Sequence, residues 1–340
     1  MFRYFEKNVS FVEMDFTQAE FNVKSAVSGT GAILSIASNI PVLVLLLTSR
    51  RLQEDIATRA IASLAVADLG IGAVAPMIST ILGSRGLEFH APQGLINFCG
   101  CVYNTTLLSG VWHLALVSII RCCVIIKPLT YRSIFSNRAV HGSIAALWGY
   151  CVLTCIVAVS MGLRYEFNYI SFTPYLANYE GGLQFMYVYF VLNTIAPAVI
   201  IVLAYFKIFL VVRKQLRTIR PEKNEGLTNL TVSSIKAAKN LFVMISFYGA
   251  AYLPVLAMMF APLNFPLWYV FSVNWIFFYN ASFNALLYVI LHKTVRNEYR
   301  KLFCPCFKGG RQRSFATNAT PSGEQTATPA YTVAVLTTVD

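Results

Sequence analysis

Apolar runs of roughly eighteen residues or more recur along this chain, and each one is long enough to cross the hydrocarbon core of a bilayer. Seven are present, at about 25–49, 58–83, 97–126, 139–163, 183–213, 237–262 and 266–291. At about 1.5 Å per helical residue, each exceeds the ~30 Å of lipid tails. Only 12% of the residues are charged, against roughly 25% in a soluble domain. The opening MFRYFEKNVSF has no apolar stretch of signal-peptide type, and polar residues continue to Lys24. The first span is therefore expected to act as its own insertion signal. The chain shows no internal repeat, which argues against an inverted-repeat transporter.

Orientation follows from the basic residues. With the N-terminus outside, all but five of the 27 Lys and Arg residues lie on the cytoplasmic side or at its edge. The five are Arg3, Lys7, Lys24, Arg85 and Arg164. The net charge of +12 is then this positive-inside bias together with attraction to anionic membrane lipid. It does not point to nucleic acid. The predicted fold is all-α: a seven-transmembrane helix bundle with a short amphipathic helix after the seventh span. The predicted organisation is an extracellular tail at 1–24, the membrane domain at 25–291, an amphipathic surface helix at 292–308 and a disordered cytoplasmic tail at 309–340. HKTVRNEYRKLF alternates basic and apolar residues at helical spacing, which suits the inner membrane surface. The tail is rich in Thr, Ser, Ala and Gly and poor in apolar residues.

Two ionisable residues inside the spans need an account, because a charge in hydrocarbon is costly and usually functional. Asp68, in LAVADLG, is the one acid well inside a span. Its candidate partners are Asn39 in the first span and Asn280 and Asn284 in the seventh. Arg121 closes a long apolar run in VSIIRCCVIIKPLTY with no acid beside it in sequence.

Taken in order, these residues resemble the rhodopsin-like (class A) G-protein-coupled receptors over roughly 25–303. Asn39 and the LAVAD stretch ending at Asp68 are similar to that family's first- and second-span motifs. Arg121, seven residues ahead of Pro128-Leu129, looks like the arginine of its Asp-Arg-Tyr motif. Trp148 matches the fourth-span tryptophan, and Pro197 with Tyr205 the fifth-span pair. Tyr252-Leu253-Pro254 stands where the family has Cys-Trp-x-Pro, and Asn284 to Tyr288 (NALLY) where it has Asn-Pro-x-x-Tyr. The resemblance implies a multi-pass plasma-membrane receptor that is not an enzyme. It implies binding of an extracellular ligand and activation of a heterotrimeric G protein, with arrestin a further partner and no cofactor. It assigns coupling and activation to Arg121, Asp68, Asn39, Pro197, Tyr205, Tyr252, Pro254, Asn280, Asn284 and Tyr288.

The departures carry physical consequences. In the family the arginine pairs at rest with a neighbouring acid, and often with one on the sixth helix; here those positions hold Ile120 and Ser234, and the motif tyrosine is Cys122. Loss of both clamps predicts raised basal activity. Tyr252 shrinks the aromatic plug and adds a hydroxyl that needs a partner. Ala285 replaces a proline, restoring a backbone hydrogen bond in the seventh helix. The 164–182 loop has no cysteine, so the family's tether from the third span to that loop cannot form. Gly110 and Ala281 stand where hydroxyl residues help the acid hold sodium, which leaves at most a weak sodium site at Asp68 and no other metal site.

The family's amine-anchoring acid falls at Tyr103 and an opsin's retinal lysine at Phe278, so neither a cationic amine nor retinal is expected. The outer-half pocket is read as Tyr103, Asn104, Tyr187, Asn193, Tyr252, Met258, Asn274, Trp275 and Phe278, which suits a neutral or apolar ligand or a loop-held peptide. Asn8, in Asn-Val-Ser, is the expected glycosylation site. Cys304 and Cys306 are the expected palmitoylation sites. Two alternatives stay open: a receptor-like protein that binds ligand or partner without G-protein activation, and a transporter or channel. An epitope tag ahead of Phe2 should bind antibody on intact cells, and one after Asp340 only after permeabilisation. A C-terminal tag readable on intact cells would overturn the topology.

Overall fold

The computed structural model describes residues 17–84, 92–127, 130–177, 183–218, 242–243, 246–247, 249–254, 257 and 265–303. The first span is the helix Gln18–Thr48. It begins earlier than its apolar run because Thr17 and Glu20 cap it: the Glu20 amide donates to Thr17 Oγ1 (3.3 Å) and the Thr17 amide to Glu20 Oε2 (2.8 Å). The second span is helical at Ala57–Leu69 and Ala75–Ser84, joined by a wide π turn at Gly70–Val74. The third is Gln93–Ile126, the fourth Asn137–Ser160 and the seventh Leu267–Leu291. The fifth runs from Leu183 through a π turn at Val191–Ile195 to Thr218. Described residues of the sixth span are helical at 242–243, 246–247, 249–254 and 257. The first, third, fourth, fifth and seventh helices are each long and apolar enough to cross a membrane.

Both π turns precede a proline, Pro76 in the second span and Pro197 in the fifth. A proline ring clashes with the carbonyl one turn back and leaves that carbonyl without its donor, and a widened turn makes room. Ala285, where the family's proline would stand, lets the seventh helix run unbroken to Leu291. The extended residue His292 then turns the chain into the surface helix Lys293–Phe303. Val295 is fully buried in the inner core beside Tyr288, while Arg300 and Lys301 are exposed. Arg296 Nη1 donates to the Ile290 carbonyl (2.6 Å), closing the C-terminus of the seventh helix.

The third span lies at the centre, with 72% of its apolar window buried against 17% for the fourth. Polar side chains tie its neighbours to it. Ser63 of the second span accepts from Trp148 Nε1 of the fourth (2.9 Å) and pairs with His113 Nε2 of the third (2.9 Å). The other ring nitrogen of His113 faces Ser109 Oγ (3.0 Å).

The outer loop is not a plain connection. Arg164–Asn168 (β1) and Thr173–Ala177 (β2) form an antiparallel hairpin, with Arg164 opposite Ala177 and Asn168 opposite Thr173. Among the described residues it is fastened without a disulfide, Cys99, Cys101 and Cys155 all being free thiols. Tyr165 does the fastening. Its amide donates to Asn97 Oδ1 (3.2 Å), its carbonyl accepts from Gln93 Nε2 (2.8 Å) and its hydroxyl meets Cys155 Sγ (3.2 Å). Burial pushes the Tyr165 phenol well above its ordinary range, so it stays neutral. The ring lies on Gly100, where a Cβ would fall 2.2 Å from Tyr165 Cγ. Gly100→Ala should therefore destabilise by about 1–3 kcal/mol through overpacking. Gly142→Ala, with open space around it, should be neutral or slightly stabilising. Apparent melting temperatures of the detergent-solubilised proteins check this, and equal values for the two variants would refute the contact.

Candidate functional site

Arg121 lies at the inner end of the third span with its side chain only 9% exposed. Its partner is an acid the motif comparison did not consider. Arg121 Nη2 donates to Asp55 Oδ2 at 2.9 Å. Asp55 sits in the inner turn between the first and second spans, and its other oxygen, Oδ1, accepts the Ala57 amide (3.1 Å) at the start of the second-span helix. The premise of an arginine without an acidic partner is thus corrected: the ionic partner is supplied from the turn between the first and second spans and not from the position beside it. Ile120, at the family's acid position, is fully buried in an apolar cluster that includes Leu52, Ala57, Ile61 and Val140. The available signal was compositional, because Glu54, Asp55, Glu222, Glu225 and Glu298 are the inner-side acids ahead of the tail. Asp55, two residues before a helix, also has the placing of a turn-forming aspartate.

Around this pair the structure brings together other assigned residues. Tyr205 of the fifth span and Tyr288 of the seventh flank the guanidinium. Among the described residues, Arg121 Nε and the Tyr205 hydroxyl are both buried without a hydrogen-bond partner. Ser118, beside Tyr205, donates instead to the Leu114 carbonyl (2.7 Å). At His292, burial first and then the charge of Arg121 hold the imidazole below its usual pKa, so it is neutral near pH 7. Ser234 lies outside the described residues.

Asp68 is buried, and Asn284 Nδ2 donates to its Oδ2 (3.3 Å). Asn39 reaches Asp68 only indirectly: it donates to the Ser35 and Ala281 carbonyls (3.1 and 3.3 Å), while Ser35 Oγ donates to the Asp68 carbonyl (3.3 Å). Asn280 is buried nearby in sequence but makes no hydrogen bond to Asp68 among the described residues. For sodium the donor set is a poor fit. Asn284 offers the carboxylate an N–H and not an oxygen, and neither Gly110 nor Ala281 carries a hydroxyl. No group of three or more metal-ligating His, Cys, Asp or Glu occurs among the described residues.

In the outer half, the residues read as a pocket divide into two sets. Tyr103, Trp275 and Phe278 pack together, with ring centroids 5.6 Å (Tyr103–Phe278) and 5.1 Å (Trp275–Phe278) apart. Asn104 turns toward the fourth and fifth spans, accepting from the Tyr189 hydroxyl (2.6 Å) and donating to Cys155 Sγ (3.5 Å). Asn193 and Asn274 donate to carbonyls of their own helices, Tyr189 (2.9 Å) and Val270 (2.7 Å). The Tyr252 hydroxyl finds Thr194 (3.1 Å). Pro197 is buried on the fifth span and Pro254 half-buried on the sixth. Met258, the Tyr187 side chain, Asn8, Cys304 and Cys306 lie outside the described residues. The sequence reading missed Phe172, which the hairpin drives into the Trp275–Phe278 cluster; its place beside Asn168 in a short turn was the only hint.

The family model described as 7 transmembrane receptor (rhodopsin family) matches residues 38–288. Trace amine-associated receptor 7d of Mus musculus is 25% identical over 337 residues, covering 94% of this chain and 92% of its own. Trace amine-associated receptor 5 of Rattus norvegicus is 29% identical over 256 residues, covering 71% and 73%. Among solved structures, squid rhodopsin superposes with a TM-score of 0.75 at 18% identity, covering 87% of this chain and 89% of that one; at that identity it speaks for the fold alone. With the family match spanning most of the membrane domain and its motif residues placed on the expected spans, this chain belongs to the rhodopsin family of seven-transmembrane receptors.

Proposed function

We propose that this plasma-membrane receptor of the class A G-protein-coupled family is held at rest by the Arg121–Asp55 pair. An extracellular ligand acting on the outer half releases Arg121 toward Tyr205 and the G protein. The carrying observation is the 2.9 Å contact between Arg121 Nη2 and Asp55 Oδ2. Arg121 Nε and the Tyr205 hydroxyl are buried beside it and, among the described residues, not bonded to one another, and a rearrangement that pairs them adds a hydrogen bond to a charged group. Basal activity then depends on Asp55 and not on the missing acid at Ile120. The relatives' names point to amines, but Tyr103 stands where an amine-anchoring acid would be and packs against Phe278. A neutral ligand suits this site better. Arrestin recruitment by the Ser- and Thr-rich tail, lipid contact by Lys293–Phe303, glycosylation at Asn8 and palmitoylation at Cys304 and Cys306 complete the reading.

Asp55→Asn tests it, because asparagine keeps the helix-capping oxygen and removes the charge. The Asp55 side chain is 38% exposed, so solvent screening limits the pair to about 1 kcal/mol, or roughly fivefold in a two-state ratio. In a second-messenger assay at matched surface expression, ligand-independent signal should rise about fivefold in Asp55→Asn by the same arithmetic. An unchanged signal overturns the clamp. Arg121→Ala should abolish coupling in the wild-type and Asp55→Asn backgrounds alike; retained signalling would remove Arg121 from the coupling step.

A further inference from the structure

Two thiols meet beneath the outer hairpin. Cys101 of the third span and Cys155 of the fourth are 54 positions apart. Their sulfurs nevertheless lie within hydrogen-bonding reach of one another, with the Tyr165 hydroxyl against both. Cys155 is the hub. Its Sγ donates to the Cys101 carbonyl (3.5 Å), meets the Tyr165 hydroxyl (3.2 Å) and accepts from Asn104 Nδ2 (3.5 Å). The two thiols differ in access: Cys155 is 3% exposed, whereas Cys101 is half-buried. Their nearest cysteine neighbours along the chain are less well placed. Cys99 lies two positions from Cys101, on the opposite side of the third helix at about 3.6 residues per turn. Cys151 is fully buried one turn back on the fourth.

We propose that Cys101 and Cys155 form a redox modification site: hydrogen peroxide oxidises Cys101, and Cys155 then closes a disulfide that loosens the hairpin. In the first step the Cys101 sulfur attacks a peroxide oxygen and the O–O bond breaks. The thiol proton leaves with the released hydroxide as water, and Cys101 becomes a sulfenic acid. In the second step the Cys155 sulfur attacks the Cys101 sulfur and the S–O bond breaks. The departing hydroxide takes the Cys155 proton and leaves as a second water. The two sulfurs together lose two electrons, and these reduce one peroxide to two waters. Asn104 Nδ2, donating to the Cys155 sulfur, stabilises the negative charge that builds there during attack. Burial slows the first step relative to an exposed thiol, so the site answers to sustained peroxide and not to a trace. The bonded Cys155 sulfur has no proton to donate and is drawn toward Cys101. Tyr165 then gives up its hydroxyl partner and keeps only its backbone contacts to Asn97 and Gln93.

The test uses the full-length, detergent-solubilised protein, so it does not depend on coupling. Wild type treated with hydrogen peroxide is quenched with N-ethylmaleimide and digested without reductant. Mass spectrometry should find a peptide pair joining Cys101 to Cys155 that dithiothreitol separates. No such pair, or one joining Cys101 to Cys151 in its place, overturns the site. In Cys155→Ser the second step is blocked, so a dimedone adduct should accumulate at Cys101. An adduct at Cys155 in Cys101→Ser, with none at Cys101 in Cys155→Ser, overturns the assigned order. Hydrogen exchange reads the consequence for the hairpin. Amides of 164–177 should exchange about fivefold faster in the oxidised wild type than in the reduced, the weight of one ordinary hydrogen bond. Peroxide should leave them unchanged in Cys101→Ser, where the Cys155–Tyr165 contact stays in place. Equal exchange in oxidised and reduced wild type overturns the coupling of the thiol pair to the hairpin.

Discussion

Inside hydrocarbon no water completes a hydrogen bond, so a polar side chain on a span must find its partner on another helix or on its own backbone. The arrangement of this bundle follows from that constraint. Ser63, Trp148 and His113 meet because each would otherwise be orphaned, and in meeting they set the second, third and fourth spans against one another. Asn284 reaches Asp68 from the seventh span, and Asn39 reaches the Ala281 carbonyl from the first. Apolar packing surrounds these contacts but does not distinguish one rotation of a helix from another, since lipid tails are as apolar as leucine. The few polar contacts supply the register.

The same economy operates at both faces of the membrane, where the chain has lost familiar devices and kept their geometry by other means. Outside, a hairpin seated on Gly100 and held by Gln93, Asn97 and Cys155 occupies the place that a covalent tether would secure. Inside, a carboxylate from the turn ahead of the second span reaches the third-span arginine. Glu298 of the surface helix bonds Lys301 (2.7 Å) and lies 3.9 Å from Arg51, next to the turn that carries Asp55. The inner loop is therefore braced from two sides, by the core and by the membrane surface.

What could be read in the residues and what could not divides along the range of the forces involved. Most span positions and the helix after the seventh span were legible because they depend on local composition: long apolar runs, and basic and apolar residues alternating at helical spacing. Asp68 was legible because a lone acid in an apolar run has few places to go, and Asn284 was indeed among its named partners. Asp55 was not, because it is 66 positions from Arg121 and was sought only where the family keeps an acid. The hairpin was missed because YISF, the residues between its two strands, contains no turn dipeptide of the usual kind; its turn rests on Asn168 and a strained Phe172. The beginning of the first helix at Gln18 was missed because a capping box acts on backbone amides, to which an apolar-run criterion is blind.

Asp55 divides its labour between its two oxygens. Oδ1 holds the first turn of the second-span helix and Oδ2 holds Arg121. In the release proposed above, Oδ1 would still accept the Ala57 amide, so the carboxylate would keep its position and orientation. The returning guanidinium meets a partner already in place, and recapture requires no refolding of the inner loop.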